Sequence, residues 1–191
     1  ALPISIGNTK SSTRQECFSK TLREVLQLCP IILPGFSRFL HIQLAFYFTG
    51  ITLLTFNCSD YTFHENSIEG RDWETSRRLC QNSAEGDLVS IEEETERIVL
   101  KKIIKNLKTI KYYIGLKKEQ GEWRWLSNGN SLPASTGIHP WSPGEPSGGS
   151  DTKCATIYAN YRTHLDGLFD DLSCSSRQKD TGYICERSEE H

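Results

Sequence analysis

Residues 141–154 read Trp-Ser-Pro-Gly-Glu-Pro-Ser-Gly-Gly-Ser-Asp-Thr-Lys-Cys. Glycine, proline and serine crowd this stretch and the residues before it, so 127–153 is expected as one long ordered loop rather than helix or strand. Ordered landmarks stand on either side. Downstream come Phe169-Asp170-Asp171, Cys174 and Tyr183-Ile184-Cys185. Upstream are Trp123-Arg124-Trp125, Tyr113-Ile114-Gly115-Leu116, Gly86-Asp87-Leu88-Val89-Ser90-Ile91, Cys80, and Trp73 seven residues before Cys80. The loop and its surroundings supply carboxylates at Glu145, Asp151, Asp170 and Asp171, and any function is expected there.

Local patterns fill the intervals. Asp72 to about Ala84 reads as a helix with Trp73, Ser76, Leu79 and Cys80 on one side, ended by Gly86. A second helix is expected to begin at Ser90, where Ser90-Ile91-Glu92-Glu93 fits a capping box. Leu100, Ile103, Ile104 and Leu107 follow at helical spacing, with glutamates in the first turn and Lys101, Lys102 and Lys105 near the end, an order that suits the helix dipole. Residues 112–116 and 122–126 read as strands joined by a polar turn over 117–121, and 154–159 and 181–186 close the sheet.

The ordered set is similar to the C-type lectin-like domain family over about residues 58–188. Tyr61-Thr62-Phe63-His64-Glu65 after Cys58, and Glu145-Pro146-Ser147-Gly148-Gly149-Ser150 before Cys154, most resemble layilin- and chondrolectin-type members. The resemblance implies an α+β, C-type lectin-like fold: two helices, small antiparallel sheets and a long loop region, stapled by disulfides Cys80–Cys185 and Cys154–Cys174. It also implies a cis bond before Pro146. The first crosslink would close a loop of about a hundred residues, stabilising by roughly 4–5 kcal/mol on chain-entropy grounds. Cys17, Cys29 and Cys58 remain. In the layilin-type pattern the cysteine at the place of Cys58 pairs a few residues upstream, but 48–57 holds none, which leaves Cys58 as a free or intermolecular thiol.

Composition narrows the function classes. A formal charge of −2 argues against a nucleic-acid partner, since phosphate binding needs concentrated positive charge. Seven cysteines without zinc-type spacing suit an oxidising, extracellular setting. The absence of methionine implies a processed, trimmed or fragmentary chain. Residues 1–38 carry five Lys/Arg against two Glu, a charge of +3, leaving −5 for the rest. That tail shows no sustained period and is expected to be weakly ordered, with a short helix around Ser19 to Leu28. Residues 39–56, FLHIQLAFYFTGITLLTF, run 18 positions without a formal charge. Three readings stay open for this 39–57 segment: a membrane-spanning signal anchor, the core of a cleaved signal that would leave a secreted protein, or buried strands in which Ile51–Phe56 opens the domain. The basic flank would place 1–38 in the cytosol and the lectin-like part outside. Asn57-Cys58-Ser59 is a glycosylation sequon, and 189–191 forms a short tail.

In calcium-dependent members of the family, a Glu-Pro-Asn or Gln-Pro-Asp triplet, an acid before the third cysteine and a Trp-Asn-Asp triplet hold one calcium ion. A glycan with vicinal hydroxyls completes its shell of oxygens. The corresponding residues here are Glu145, Ser147, Asp151, Asp170 and Asp171, which the resemblance makes the metal and carbohydrate ligands. Ser147 stands where the family has an amide, and Asp151 is three residues before Cys154, one more than usual. Layilin-type members share the serine and point to a hyaluronan-like glycan. The alternative is a calcium-independent receptor for a cell-surface protein ligand, as in natural killer cell receptors, with the carboxylates merely solvated. A lectin-like enzyme or inhibitor has only the fold in its favour. No nucleophile motif is present, and adjacent Asp170 and Asp171 cannot flank a glycosidic bond, so no enzyme is expected. Trp123, Trp125, Trp141 and Tyr113 are expected in the core, and His64, His139 and His164 at the surface.

Overall fold

A computed structural model describes residues 43–46, 51–56, 59–66, 70–132 and 140–188. The chain folds in the order β1 (Gln43–Phe46), β2 (Ile51–Phe56), β3 (Ser59–His64), α1 (Trp73–Asn82), β4 (Asp87–Leu88), α2 (Glu94–Ile104), β5 (Lys111–Glu119), β6 (Glu122–Trp125), β7 (Thr152–Tyr158), β8 (Phe169–Ser173) and β9 (Thr181–Ser188). The strands join into one nine-stranded sheet of order β1-β2-β3-β9-β5-β7-β8, with β4 paired to β9 and β6 to β5. The expected small antiparallel sheets are thus continuous, and β5 and β9 run parallel where they pair Lys111 with Thr181 and Tyr113 with Tyr183. Among the described residues, disulfides join Cys80 to Cys185 and Cys154 to Cys174.

Both faces of the central strands are buried. Along β5, Tyr112, Ile114 and Leu116 enter one core cluster, together with Val99, Leu100 and Ile104 of α2. Tyr113 points the other way, into a second cluster with Trp73 and Cys80 of α1 and with Cys154, Tyr183 and Cys185. The strand's period of two therefore explains why Tyr-Tyr-Ile-Gly-Leu reads as a continuous apolar run: alternate residues serve opposite helices. Gly115 is required by close approach. Its N–H donates to the Val89 carbonyl at 2.7 Å, and a Cβ there would lie 2.4 Å from the Leu88 oxygen. Gly86 takes φ +90° beside the Glu186 carbonyl, which a Cβ would meet at 2.0 Å.

Several expectations change in detail. α1 ends at Asn82, with Ser83 as its C-cap, and Leu79 is 36% exposed rather than on the buried side. α2 starts four residues later than the sequence suggested, with Glu93 at the N-cap and no side-chain cap. Ser90 is used elsewhere, accepting from the Ser127 N–H while its own N–H donates to Glu186. Glu96, at the third helical position, accepts from the N–H of Glu92, the residue before the N-cap, at 3.1 Å. The turn after β5 is tighter than expected. It has only Gln120 and Gly121 between the strands, both with positive φ, as a two-residue hairpin requires. β3 and β8 were not anticipated as strands.

The uncharged segment forms strands where it is described. β1 pairs with β2 and β2 with β3, and Leu54 and Phe56 are buried in the core. Over 43–46 and 51–56 this matches the buried-strand reading of the segment, and alternate β2 residues Leu54 and Phe56 join the core cluster. Among the described residues no helix is long and apolar enough to cross a membrane. The N-terminal tail with its expected helix, Cys17, Cys29, Asn57, Cys58, His139 and residues 189–191 lie outside the described residues.

Two outcomes follow from this packing. The Cys80–Cys185 bond closes a loop of 105 residues. Replacing both cysteines by alanine should lower stability by roughly 4–5 kcal/mol in urea unfolding. Glu96 is 7% exposed and accepts from the Tyr61 hydroxyl at 2.9 Å; burial first, then the charge of Glu186, pushes its carboxyl up to about 8. A carboxyl raised in the folded state contributes most below its unfolded value near 4.5 and loses that contribution as pH rises toward 8. In chelator, wild-type stability should fall between pH 5 and pH 8, and Glu96→Gln should flatten that fall, by about 2 kcal/mol at the alkaline end.

Candidate functional site

The long loop is fixed at its base by aromatic packing. Trp141 lies 4.8 Å from Trp123 and edge-on to Phe169 at 6.0 Å, and Phe169 in turn meets Trp125 edge-on. These indoles are buried and form part of the core, leaving no exposed face for a sugar. Backbone bonds complete the seam: the Ser142 N–H donates to the Phe169 carbonyl and the Phe169 N–H to that of Pro140. From this base the chain turns through Gly144, with the Glu145 N–H on the Ser142 carbonyl, and enters a cis Glu145–Pro146 bond. β8 brings Asp170 and Asp171 to the same place by pairing them with Thr156 and Ala155 of β7, next to the Cys154–Cys174 crosslink.

Carboxylate oxygens of Glu145, Asp170 and Asp171 lie within 4.8 Å of one another. Asp170 and Asp171 are 8% and 7% exposed, and Glu145 is half-buried. Ser147 joins through Asp171, whose Oδ1 accepts its N–H at 2.9 Å and its hydroxyl at 2.8 Å. Asp151 is exposed just before β7 and falls outside the three-carboxylate cluster. Glu145 Oε2 and Asp171 Oδ2 are buried without a hydrogen-bond partner.

Three acids this close cannot all ionise freely. Burial, followed by the neighbouring Asp171 and Asp170 carboxylates, pushes the Glu145 carboxyl up to about 7. Burial would also raise Asp171, but the neighbouring Glu145 and Thr152 side chains and the hydrogen bonds from Ser147 outweigh it and hold that group down at about 2. The donor set fits a hard divalent cation, since it is all oxygen, strongly negative, and has two buried oxygens without partners.

Two neighbours were missed by the sequence reading. Lys111 places its Nζ 2.7 Å from Asp170 Oδ2. Tyr158 lies beside the same carboxylate, and burial, followed by the Asp170 charge, raises its hydroxyl above the ordinary range. No local signal could have found Lys111, because 59 residues separate it from Asp170 and only the sheet register joins them. The two histidines among the described residues do not contribute: His64 pairs with Glu85 and stacks on Tyr183, and His164 is exposed.

The family model for the lectin C-type domain matches residues 69–187. The chain belongs to the C-type lectin domain family. Among relatives of this C-type lectin, C-type mannose receptor 2 of Mus musculus is 29% identical over 133 residues, 63% of this chain and 8% of the receptor. E-selectin of Oryctolagus cuniculus is 29% identical over 129 residues, 67% of this chain and 22% of the selectin. The chain thus spans only a small part of the length of these curated relatives. Among solved structures, the mouse scavenger receptor C-type lectin carbohydrate-recognition domain aligns with a TM-score of 0.55 at 23% identity, covering 73% of this chain and 95% of that one. At that identity the likeness establishes the shared fold. These relatives place the chain in the family at large, and the narrower likeness to layilin and chondrolectin rests on motif spelling alone.

Proposed function

We propose that this chain is a carbohydrate-binding C-type lectin-like receptor domain that holds a glycan through calcium in the long loop. The observation that carries this reading is the convergence of Glu145, Asp170 and Asp171, with two buried oxygens left without partners. These three would ligate the ion directly. Ser147 orients Asp171 and offers its hydroxyl, and exposed Asp151 is the member of the set that the geometry supports least. When bound, calcium would supply a centre on which two vicinal sugar hydroxyls complete the oxygen shell. The carboxylates would then accept hydrogen bonds from those hydroxyls. The layilin-type spelling of the triplet adds a hyaluronan-like glycan as the ligand class. The two disulfides support extracellular display. Glycosylation at Asn57 belongs to the same setting.

The alternative, a calcium-independent receptor for a protein ligand, is favoured by one specific feature. Lys111 already neutralises part of the acidic cluster without a metal.

Asp170→Asn combined with Asp171→Asn should abolish both the calcium-dependent rise in Tm and glycan-array binding while leaving the fold intact, because neutral amides compete poorly with water for a divalent ion. Ser147→Asn should strengthen glycan binding severalfold by adding an amide donor. Wild type showing no rise in Tm at millimolar calcium would leave the protein-ligand reading in place, since a bound ion must stabilise by mass action.

A further inference from the structure

Lys111 reaches the carboxylates through strand register. It lies opposite Tyr158 in the β5–β7 pair, and Asp170 lies opposite Thr156 in the β7–β8 pair. Residues 156 and 158 share one face of β7, so Lys111, Tyr158 and Asp170 are neighbours on that face. The Lys111 ammonium is 2.7 Å from Asp170 Oδ2 and 5.0 Å from the centre of the Tyr158 ring. Its side chain is 28% exposed and that of Asp170 is 12% exposed, so the pair is only partly screened by water.

We infer that Lys111 is a tethered counter-ion of the carboxylate cluster, which stabilises the metal-free site and competes with calcium for Asp170. The inference rests on the calcium reading above. Three clustered carboxylates repel one another, and an ammonium in contact with one removes a full negative charge from the site. The ring of Tyr158 holds that ammonium in place by a cation–π contact. A calcium ion that takes Asp170 Oδ2 must either displace the ammonium or bind beside it against like-charge repulsion. Both routes weaken calcium binding. The lysine therefore sets the calcium concentration at which the loop becomes competent for glycan, and it acts as a positioning residue, without itself touching the sugar.

Because the lysine helps the empty site and hinders the filled one, its removal should act with opposite sign on the two states. In Lys111→Met the stem is kept and the charge lost. Thermal unfolding of the full chain in chelator should give a Tm below wild type, while calorimetric titration with calcium chloride should give a Kd roughly tenfold tighter. Lys111→Arg, which keeps a cation, should stay within about threefold of wild type. A further measurement uses the wild type alone: acetylation of Lys111, read by mass spectrometry, should be slow in chelator and quicken when saturating calcium releases the ammonium. Equal calcium affinity in wild type and Lys111→Met, or unchanged Lys111 reactivity on saturation, overturns the inference and leaves the calcium reading standing. Calcium binding in neither protein up to tens of millimolar overturns the calcium reading itself, and the competition with it. Binding in Lys111→Met but not in wild type supports the competition and overturns the calcium reading for the wild-type protein.

Discussion

The Cys80–Cys185 bond is the constraint on which the remaining packing depends. Cys185 belongs to β9, which lies between β3 and β5 and also pairs with β4. In register it stands opposite Thr62 on one side and Leu88 on the other. Fastening α1 to this point brings together segments 105 residues apart in the chain. It also seats Trp73 so that its indole N–H donates to the Ile114 carbonyl at 2.8 Å. Those non-local pairings are entropically costly to assemble, and a crosslink that removes conformational freedom from the unfolded chain offsets much of that cost. The tight passage of Gly86 past Glu186 and of Gly115 past Leu88 is possible only with α1, β4 and β9 held in this arrangement.

A polar loop poor in regular structure cannot order itself by burial. Here it is gripped at both ends, by the aromatic packing of Trp141 against Trp123 and Phe169 and by the Cys154–Cys174 crosslink. Rigid ends allow the loop to carry charge that a free segment would spread into solvent. Glu145, Asp170 and Asp171 are forced together at partial burial, and the repulsion is answered locally in two ways. Ser147 donates twice to Asp171, and Lys111 pairs with Asp170. The two buried oxygens that these measures leave unpartnered mark the direction in which a cation would complete the site.

Much of the fold was legible because local chemistry and tertiary role agree. Trp73 and Cys80 fall on the buried face of α1, and the apolar run of β5 is buried on both faces. Reading failed where residues are claimed by distant partners. Ser90 looks like a helix cap by its neighbours, yet Ser127 and Glu186 take its hydrogen bonds, and the helix begins at Glu94. Phe169-Asp170-Asp171 carries no strand signal, because its two acids are tolerated only through pairing with β7 and through the site they form. The uncharged run at 39–56 suits a bilayer by composition, and a hydrophobic segment of that length is equally suited to sheet strands when a core lies beside it.

The sequence by itself determined the family, the four cysteines of the two crosslinks, the aromatic landmarks of the core and the acids that would face a ligand. Each of these is a choice of residue type at a position, and side-chain chemistry is written in the chain. The tertiary structure alone decided which acids meet and which stay apart. Glu145, Asp170 and Asp171 converge, Asp151 remains outside, and Lys111 enters from a strand 59 residues away from Asp170. The reason is geometric: electrostatic coupling falls with distance in space, and the register of β5, β7 and β8, which sets those distances, has no local trace in any one segment.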